Sequence, residues 1–275
     1  MPPVAAIRVD TSYLASRHRV APFTLHRPAT ASEAGELLQR YGSHAVAMGG
    51  GVDLSNRLKL GERVDHVAYL RGAADLTRIE QDTGSLRVGA AVTHQEFANH
   101  TLVKRALPDL AAVWRRLGNP RVRACGTLGG NLITADAHYD VAALLAATGA
   151  RLIYSPATQR LLTHIEFPAD ARVVLRYETA YKPAASVAIA LSDRGAGTWR
   201  VRIVVGCAYP EPAVGECVGS AGGGAELAHA LVRGLPEPVD DHVASAAYRR
   251  RLITVIARRL VADLAAGRDD DEVAL

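Results

Sequence analysis

The stretch Arg-Ala-Cys-Gly-Thr-Leu-Gly-Gly-Asn-Leu-Ile-Thr-Ala-Asp-Ala-His-Tyr-Asp, residues Arg123 to Asp140, sets three glycines, an asparagine and two aspartates between two apolar segments. A shorter segment upstream, Gly49-Gly50-Gly51-Val52-Asp53-Leu54, has the same character. In both, glycine permits positive φ and lets a ligand approach the main chain closely. Consecutive amide N–H groups can then converge on an anion, so a pyrophosphate between two such loops needs little help from Lys or Arg. Asp140, at the start of the helix expected from Val141, is badly placed for a phosphate but well placed to accept a hydrogen bond from a ribityl or ribose hydroxyl. The pattern points to a dinucleotide. Neither loop is GxGxxG, which disfavours a Rossmann nicotinamide site. Each glycine triplet alone also reads as a tight turn, so composition and spacing stop at a phosphate site.

The rest of the chain narrows the chemistry. With 275 residues it can bury roughly three quarters of its unfolded surface, enough for one large domain or two ordinary ones. A composition 49% hydrophobic and 22% charged is that of a globular protein. No apolar run reaches the ~20 residues of a membrane span, and the start MPPVAAIRVD lacks a basic segment followed by an apolar core. The expectation is a soluble, cytoplasmic protein without membrane contact. Cys125, Cys207 and Cys217 form no CxxC pair, which argues against a disulfide framework, a metal site or an iron–sulfur cluster held by this chain. Redox chemistry therefore needs a bound cofactor. The net charge of +4 is scattered apart from Arg249-Arg250-Arg251 and Arg258-Arg259, which read as solvated faces or partner contacts. Few aromatics accompany them, so no nucleic-acid partner is expected.

Local patterns predict an α/β half followed by an α+β half. Thr30-Ala31-Ser32-Glu33 and Thr93-His94-Gln95-Glu96 are capping boxes that open helices. Ala45 to Met48, the glycine triplet and Val52 to Leu60 read as strand, turn and helix. Strands are expected at His66 to Leu70, and as a pair at Leu76 to Glu80 and Leu86 to Ala90. Asp109 to Leu117 reads as helix, Arg123 to Asp140 as a long loop, and Val141 to Thr148 as an apolar helix closed by Gly149. Arg151 to Tyr154, Leu161 to Phe167, Arg172 to Glu178, Ser186 to Leu191 and Trp199 to Gly206 suggest successive strands of one antiparallel sheet. Ala221 to Gly224 reads as a flexible joint. Helices at Glu226 to Arg233 and Asp241 to Ala265 finish the chain, with Asp269 to Glu272 frayed. The boundary falls near Phe167 to Asp170, giving domains 1–168 and 169–275.

The order of segments resembles the FAD-binding medium subunit of the molybdenum hydroxylases, the carbon monoxide dehydrogenase and xanthine dehydrogenase family of molybdopterin dehydrogenases. Gly126 to Asn131 is similar to the family's Gly-Thr-Ile-Gly-Gly-Asn loop, and Gly49 to Leu54 to its Ala-Gly-Gly-Thr-Asp-Leu loop. Asn119-Pro120-Arg121-Val122-Arg123 resembles the segment leading into the second loop, and Ser85 to Thr93 the family's strand, Gly-Ala turn and helix-opening Thr. The resemblance implies a PCMH-type FAD-binding domain of two α/β subdomains, followed by a C-terminal antiparallel sheet with helices. It implies that Met48, Gly49, Gly50, Gly51, Val52, Asp53 and Leu54, with Thr127, Leu128, Gly129, Gly130 and Asn131, clasp the FAD pyrophosphate. Leu117 falls where an apolar residue contacts the flavin, Asp140 at the ribityl-side Asp, and Lys182 at a cationic position of the C-terminal domain.

Four features depart from the family pattern. Val52 replaces a hydroxyl residue, removing a side-chain donor of about 1 kcal/mol. Ala137 replaces a common Pro, and Glu178 and Ser186 stand at other charged positions. The loop Ser155 to Arg160 is shorter than the segment that runs beside the flavin ring in the family, so the ring is more exposed or is covered by a partner or substrate. The resemblance implies an FAD-dependent oxidoreductase flavoprotein that takes part in electron transfer with separate iron–sulfur and molybdopterin subunits. Two alternatives stay open: a stand-alone flavin enzyme acting on a small molecule, and a flavin-free scaffold. For the first, acid or base candidates are His138, Tyr139, His164 and Glu178, each of which also reads as a structural residue. Cys125, next to the second loop, reads as a packing residue.

Overall fold

The computed structural model describes residues 20–134, 136–168, 173–180, 184–193, 199–219 and 224–272. Three short parallel strands, β1 (Thr24–His26), β2 (Ala45–Met48) and β3 (His66–Tyr69), lie in the order β1-β3-β2. Parallel neighbours need crossovers, which α1 (Ala31–Tyr41) and α2 (Val52–Lys59) supply. The Thr30 hydroxyl starts α1 by accepting the Glu33 amide at 3.2 Å, and the helix buries Ala34 and Leu38. Gly51 starts α2 with φ 74°, a conformation glycine reaches without a Cβ clash.

A second sheet contains β4 (Ile79–Gln81), β5 (Ser85–Gly89), β6 (Arg151–Tyr154) and β7 (Leu162–Pro168), antiparallel in the order β4-β5-β7-β6. Between β5 and β6 runs a helical insertion: α3 (His94–Asn99), α4 (Thr101–Ala106), α5 (Pro108–Trp114), α6 (Pro120–Cys125), α7 (Leu128–Thr134) and α8 (Val141–Thr148). The capping box that opens α3 is complete: the Thr93 hydroxyl accepts the Glu96 amide at 3.1 Å, and the Glu96 carboxylate accepts the Thr93 amide at 2.8 Å.

The third sheet is an antiparallel meander of β8 (Val173–Thr179), β9 (Ser186–Asp193), β10 (Trp199–Gly206) and β11 (Ala213–Gly219). Strand alternation splits its side chains between two cores. Leu175, Tyr177, Ala188 and Val204 join Phe97, Trp114, Leu144 and Phe167 on the side of the insertion. Val187, Ile189, Val201 and Ile203 pack under α9 (Gly224–Arg233) and α10 (Ala246–Glu272). The architecture is mixed α/β followed by α+β, as the sequence predicts.

Several local expectations change. Arg123 to Asp140 is not one long loop: α6 and α7 flank Gly126-Thr127, with the Asn119 side chain capping α6 by accepting the Val122 amide at 3.0 Å. β6 and β7 do not join the later strands but pair in the second sheet, where Val88 faces Ile165 and Leu86 faces Phe167. Leu76 lies in a 3-10 turn, and β4 begins only at Ile79. β11 has no counterpart in the sequence reading, because Ala-Val-Gly-Glu-Cys-Val-Gly carries two glycines and a charge. The last helix starts at Ala246, since the Asp241 carboxylate holds the preceding turn by accepting the amides of Val243 and Ala244, and its backbone stays helical to Glu272. Arg249, expected on a solvated face, is 0% exposed. Its guanidinium donates to the carbonyl oxygens of Ala184 and Cys207 and pairs with Asp241 at 2.7 and 2.8 Å, so its buried charge is matched. The N-terminal residues 1–19, the expected boundary at 169–170, Lys182 and residues 221–223 of the expected joint lie outside the described residues.

Candidate functional site

A cavity of about 510 Å³ opens between the start of α2 and the segment from Leu117 to Val141. Its walls begin with the first glycine loop, where Met48 through Leu54 line it without a gap. The first turn of α2 has no intrahelical acceptor for its amides, and no side chain caps it. This side of the cavity is therefore rich in backbone donors and carries the positive end of a helix dipole.

The second loop contributes differently. Thr127, Gly129, Gly130 and Asn131 line the cavity, as does Leu117. Leu128 does not: its side chain is buried in the core between the second and third sheets, and its amide donates to Val92 O at 3.0 Å. The Gly129 amide donates to Ala90 O at 2.8 Å, that of Gly130 to Thr127 Oγ1 at 3.1 Å and that of Asn131 to Thr127 O at 3.0 Å. The chain itself thus engages the amides of Leu128 to Asn131. Among the described residues the amides of Gly49 to Leu54 in the first loop have no such acceptor.

The glycines also turn out to serve chain-to-chain approach. A Cβ on Gly50 would lie 1.6 Å from Cys125 O, and one on Gly49 would lie 2.2 Å from Thr127 Oγ1. A Cβ on Gly129 would lie 2.7 Å from Ala90 Cβ. The two loops dock on one another through the space their missing side chains leave, which brings the donor-rich turn of α2 against α7. Cys125 enters this contact through its carbonyl and is itself absent from the cavity wall.

The cavity continues past Thr134 to His138, Tyr139 and Asp140. Asp140 precedes α8 without capping it. The third sheet reaches it through Cys207, whose thiol lies 3.8 Å from Asp140 Oδ1 and 3.6 Å from Ser186 Oγ. Burial pushes the Cys207 thiol up to about 11, so it stays protonated and donates. Cys207 is the one non-glycine residue with positive φ among those described, 61°, and its amide donates to Ala137 O at 3.2 Å. Beside Asp140 lies the Tyr177 hydroxyl, buried without a hydrogen-bond partner among the described residues; burial, then the Asp140 charge, raises its pKa.

Of the acid and base candidates, His138 and Tyr139 line the cavity. The exposed His138 ring pairs with Asp136 at 2.8 Å, and burial raises the Tyr139 phenol, helped by Asp136 and Asp53. His164 stands outside the cavity on β7, where its Nε2 donates to Asp75 O at 3.2 Å and burial lowers its pKa. Glu178 pairs with Arg259, away from the cavity wall. The short Ser155–Arg160 loop places Arg160 in the wall, followed by Leu161 and Leu162.

His94 is the cavity residue that sequence reasoning passes over, having used it only as the second residue of a capping box. It lines the cavity although it is 5% exposed, and the Trp114 indole donates to its Nδ1 at 3.2 Å. Burial, then the charge of Arg123, lowers its pKa to about 4, so the ring is neutral at neutral pH. The position of Trp114 twenty residues downstream gives no local signal of this pairing.

Among the described residues no group of three or more His, Cys, Asp or Glu could hold a metal ion, and no helix is long and apolar enough to cross a membrane. A cavity walled by both loops, with a donor-rich helix start on one side, fits a dinucleotide whose pyrophosphate meets the first loop. Fold and site together define the class, a dinucleotide-binding protein of mixed α/β and α+β architecture. The FAD binding domain in molybdopterin dehydrogenase matches residues 21–179, more than half of the sequence, and the chain belongs to that family. The glyceraldehyde dehydrogenase medium chain of Sulfolobus acidocaldarius is 25% identical over 258 residues, covering 79% of this chain and 90% of its own length. The carbon monoxide dehydrogenase medium chain of Afipia carboxidovorans is 25% identical over 288 residues, covering 87% and 95%. Quinoline 2-oxidoreductase from Pseudomonas putida 86 matches in structure with a TM-score of 0.77 at 25% identity, over 91% of this chain and 99% of the other.

Proposed function

We propose that this chain binds FAD with the pyrophosphate against Met48 to Leu54, Asp140 on the ribityl hydroxyls and Leu117 against the ring system. In this reading Thr127 and Gly129 to Asn131 position the first loop more than they donate to phosphate, and Lys182 adds charge from a C-terminal domain that begins at residue 169. The observation that carries the reading is the unbroken Met48–Leu54 wall with an uncapped α2 behind it. When bound, the flavin supplies one- and two-electron transfer, and the protein supplies binding, orientation and electrostatics. The chain works as the medium subunit of a larger assembly, exchanging electrons with separate iron–sulfur and molybdopterin subunits. Two relatives that span most of this chain are themselves named medium chains, which supports this arrangement.

The test is the visible spectrum of protein purified from its native host, together with the chains that accompany it. Bound flavin and two copurifying subunits are expected; a colourless protein that ignores added FAD refutes the cofactor assignment. A second reading, a stand-alone flavin enzyme acting on a small molecule, rests on the short Ser155–Arg160 loop that puts Arg160 in the cavity wall. Substrate-dependent flavin reduction by the isolated chain would favour it over the assembly.

A further inference from the structure

His94 occupies the first position of α3, where the Thr93 cap fixes the backbone. Its ring is wedged between Trp114, with ring centroids 5.9 Å apart, and Gly126, where a Cβ would stand 3.2 Å from His94 Cδ2 and 3.5 Å from Nε2. Any side chain at position 126 would thus crowd the imidazole on the edge that carries Nε2.

The hydrogen-bond chemistry of this pair has one solution. An indole nitrogen only donates, so Trp114 Nε1, fully buried, makes His94 Nδ1 an acceptor. The neutral ring then carries its proton on Nε2. That N–H has no acceptor among the described residues, and the side chain lines the cavity. Nearby Arg123 is committed to the carbonyl oxygens of Leu117 at 3.0 Å and Gly118 at 2.8 Å. Burial first, and then the charge of this cation, disfavour a second proton on the imidazole. His94 is built as a fixed, uncharged donor and not as a proton shuttle.

We infer that His94 Nε2–H donates a hydrogen bond to an uncharged acceptor of the bound flavin nucleotide, a carbonyl oxygen or an unprotonated ring nitrogen, with Trp114 as the positioning residue that fixes the tautomer. A neutral donor in a nearly dry wall suits such an acceptor, whereas phosphate is better served by the amides and helix dipole at α2. This assignment rests on the FAD reading and adds a residue and a role to it.

The experiment uses the full chain with FAD as the probe. In wild-type protein, the imidazole Nε2–H proton of His94, assigned by its loss in His94→Gln, is followed by NMR during FAD titration. It is expected to shift and to gain protection from exchange. Fluorescence titration then compares His94→Phe, His94→Gln and Trp114→Phe. His94→Phe should weaken FAD binding about tenfold, His94→Gln should recover most of that loss by restoring a donor, and Trp114→Phe should fall between. Its remaining affinity should acquire a pH dependence between pH 5 and 7 as the unfixed imidazole gains a proton, roughly the range of an ordinary histidine. A fold defect alone would not be rescued by glutamine. If wild type binds FAD while its imidazole N–H stays unmoved, or while His94→Phe binds within twofold of wild type, this inference is overturned and the FAD reading stands. If wild type takes up no FAD, both fall together.

Discussion

Replacing Gly50 by alanine should break the site while leaving most of the fold in place. The added Cβ would lie 1.6 Å from Cys125 O, 2.5 Å from Cys125 C and 3.2 Å from Gly126 N, all backbone atoms that cannot rotate away. Relief requires the two loops to part by roughly 1.5–2 Å, the difference between these separations and ordinary van der Waals contact. Overpacking of this kind costs about 1–3 kcal/mol of stability. The effect on ligand is larger, because the moving segment is the donor-rich turn at α2. A shift of that size takes a 2.9 Å hydrogen bond out of range, and each bond to a charged group is worth about 1.5–3 kcal/mol. Losing two should weaken FAD binding on the order of a hundredfold or more. Gly61→Ala is the control: at φ +93° with nothing within 4 Å, it introduces backbone strain at a residue outside the cavity wall, so stability should drop by about 1 kcal/mol with FAD affinity unchanged. Fluorescence titration with FAD and urea unfolding of both variants measure the two quantities. Wild-type affinity in Gly50→Ala would refute the argument that loop-to-loop contact sets the binding geometry.

Protonation of His94 should make the fold acid-sensitive in a defined window. Its folded pKa of about 4 lies below the ordinary 6.5, so the unfolded chain binds the extra proton and stability falls as pH drops from 6.5 towards 4. The loss is roughly 3 kcal/mol across that window, and urea unfolding of His94→Gln should show a correspondingly flatter profile; an unchanged slope would contradict the assignment. Glu96 acts lower down: burial works against its charge, but hydrogen bonds from Arg71 and Thr93 hold it at about 2, so its contribution is lost only as pH falls from 4.5 towards 2. Arg249→Ala leaves the buried carbonyl oxygens of Ala184 and Cys207 without their donor and Asp241 facing solvent alone, and should cost about 2–5 kcal/mol by chemical denaturation; less than 1 kcal/mol would show that these bonds are dispensable. Tyr177→Phe removes a hydroxyl that has no hydrogen-bond partner among the described residues and should leave thermal stability unchanged or raise it by about 1 kcal/mol, whereas a clear fall in melting temperature would mean that the hydroxyl is bonded.

The elements that could be read from the chain alone are those specified by neighbours in sequence. Thr30 and Thr93 announce α1 and α3 because a cap bonds an amide three residues on, and Gly149 closes α8 because the left-handed turn is a one-residue choice. The resemblance of Gly126 to Asn131 to a known loop carried the family. Sheet membership was not legible for β6 and β7, since alternation shows which face is buried and not which strand lies alongside. The Arg123–Asp140 stretch looked like a loop because its glycines mask two short helices that tertiary packing stabilises. What those glycines are for was also decided in three dimensions. Gly49 and Gly50 are as small as a ligand would ask, yet their missing side chains face Thr127 and Cys125 of the opposite loop. His94 is likewise an ordinary helix residue until Trp114 takes one ring nitrogen and the cavity is left with the other. Short-range hydrogen bonding is written in the order of residues. Which groups are left over for a ligand depends on the long-range contacts that have already claimed the rest.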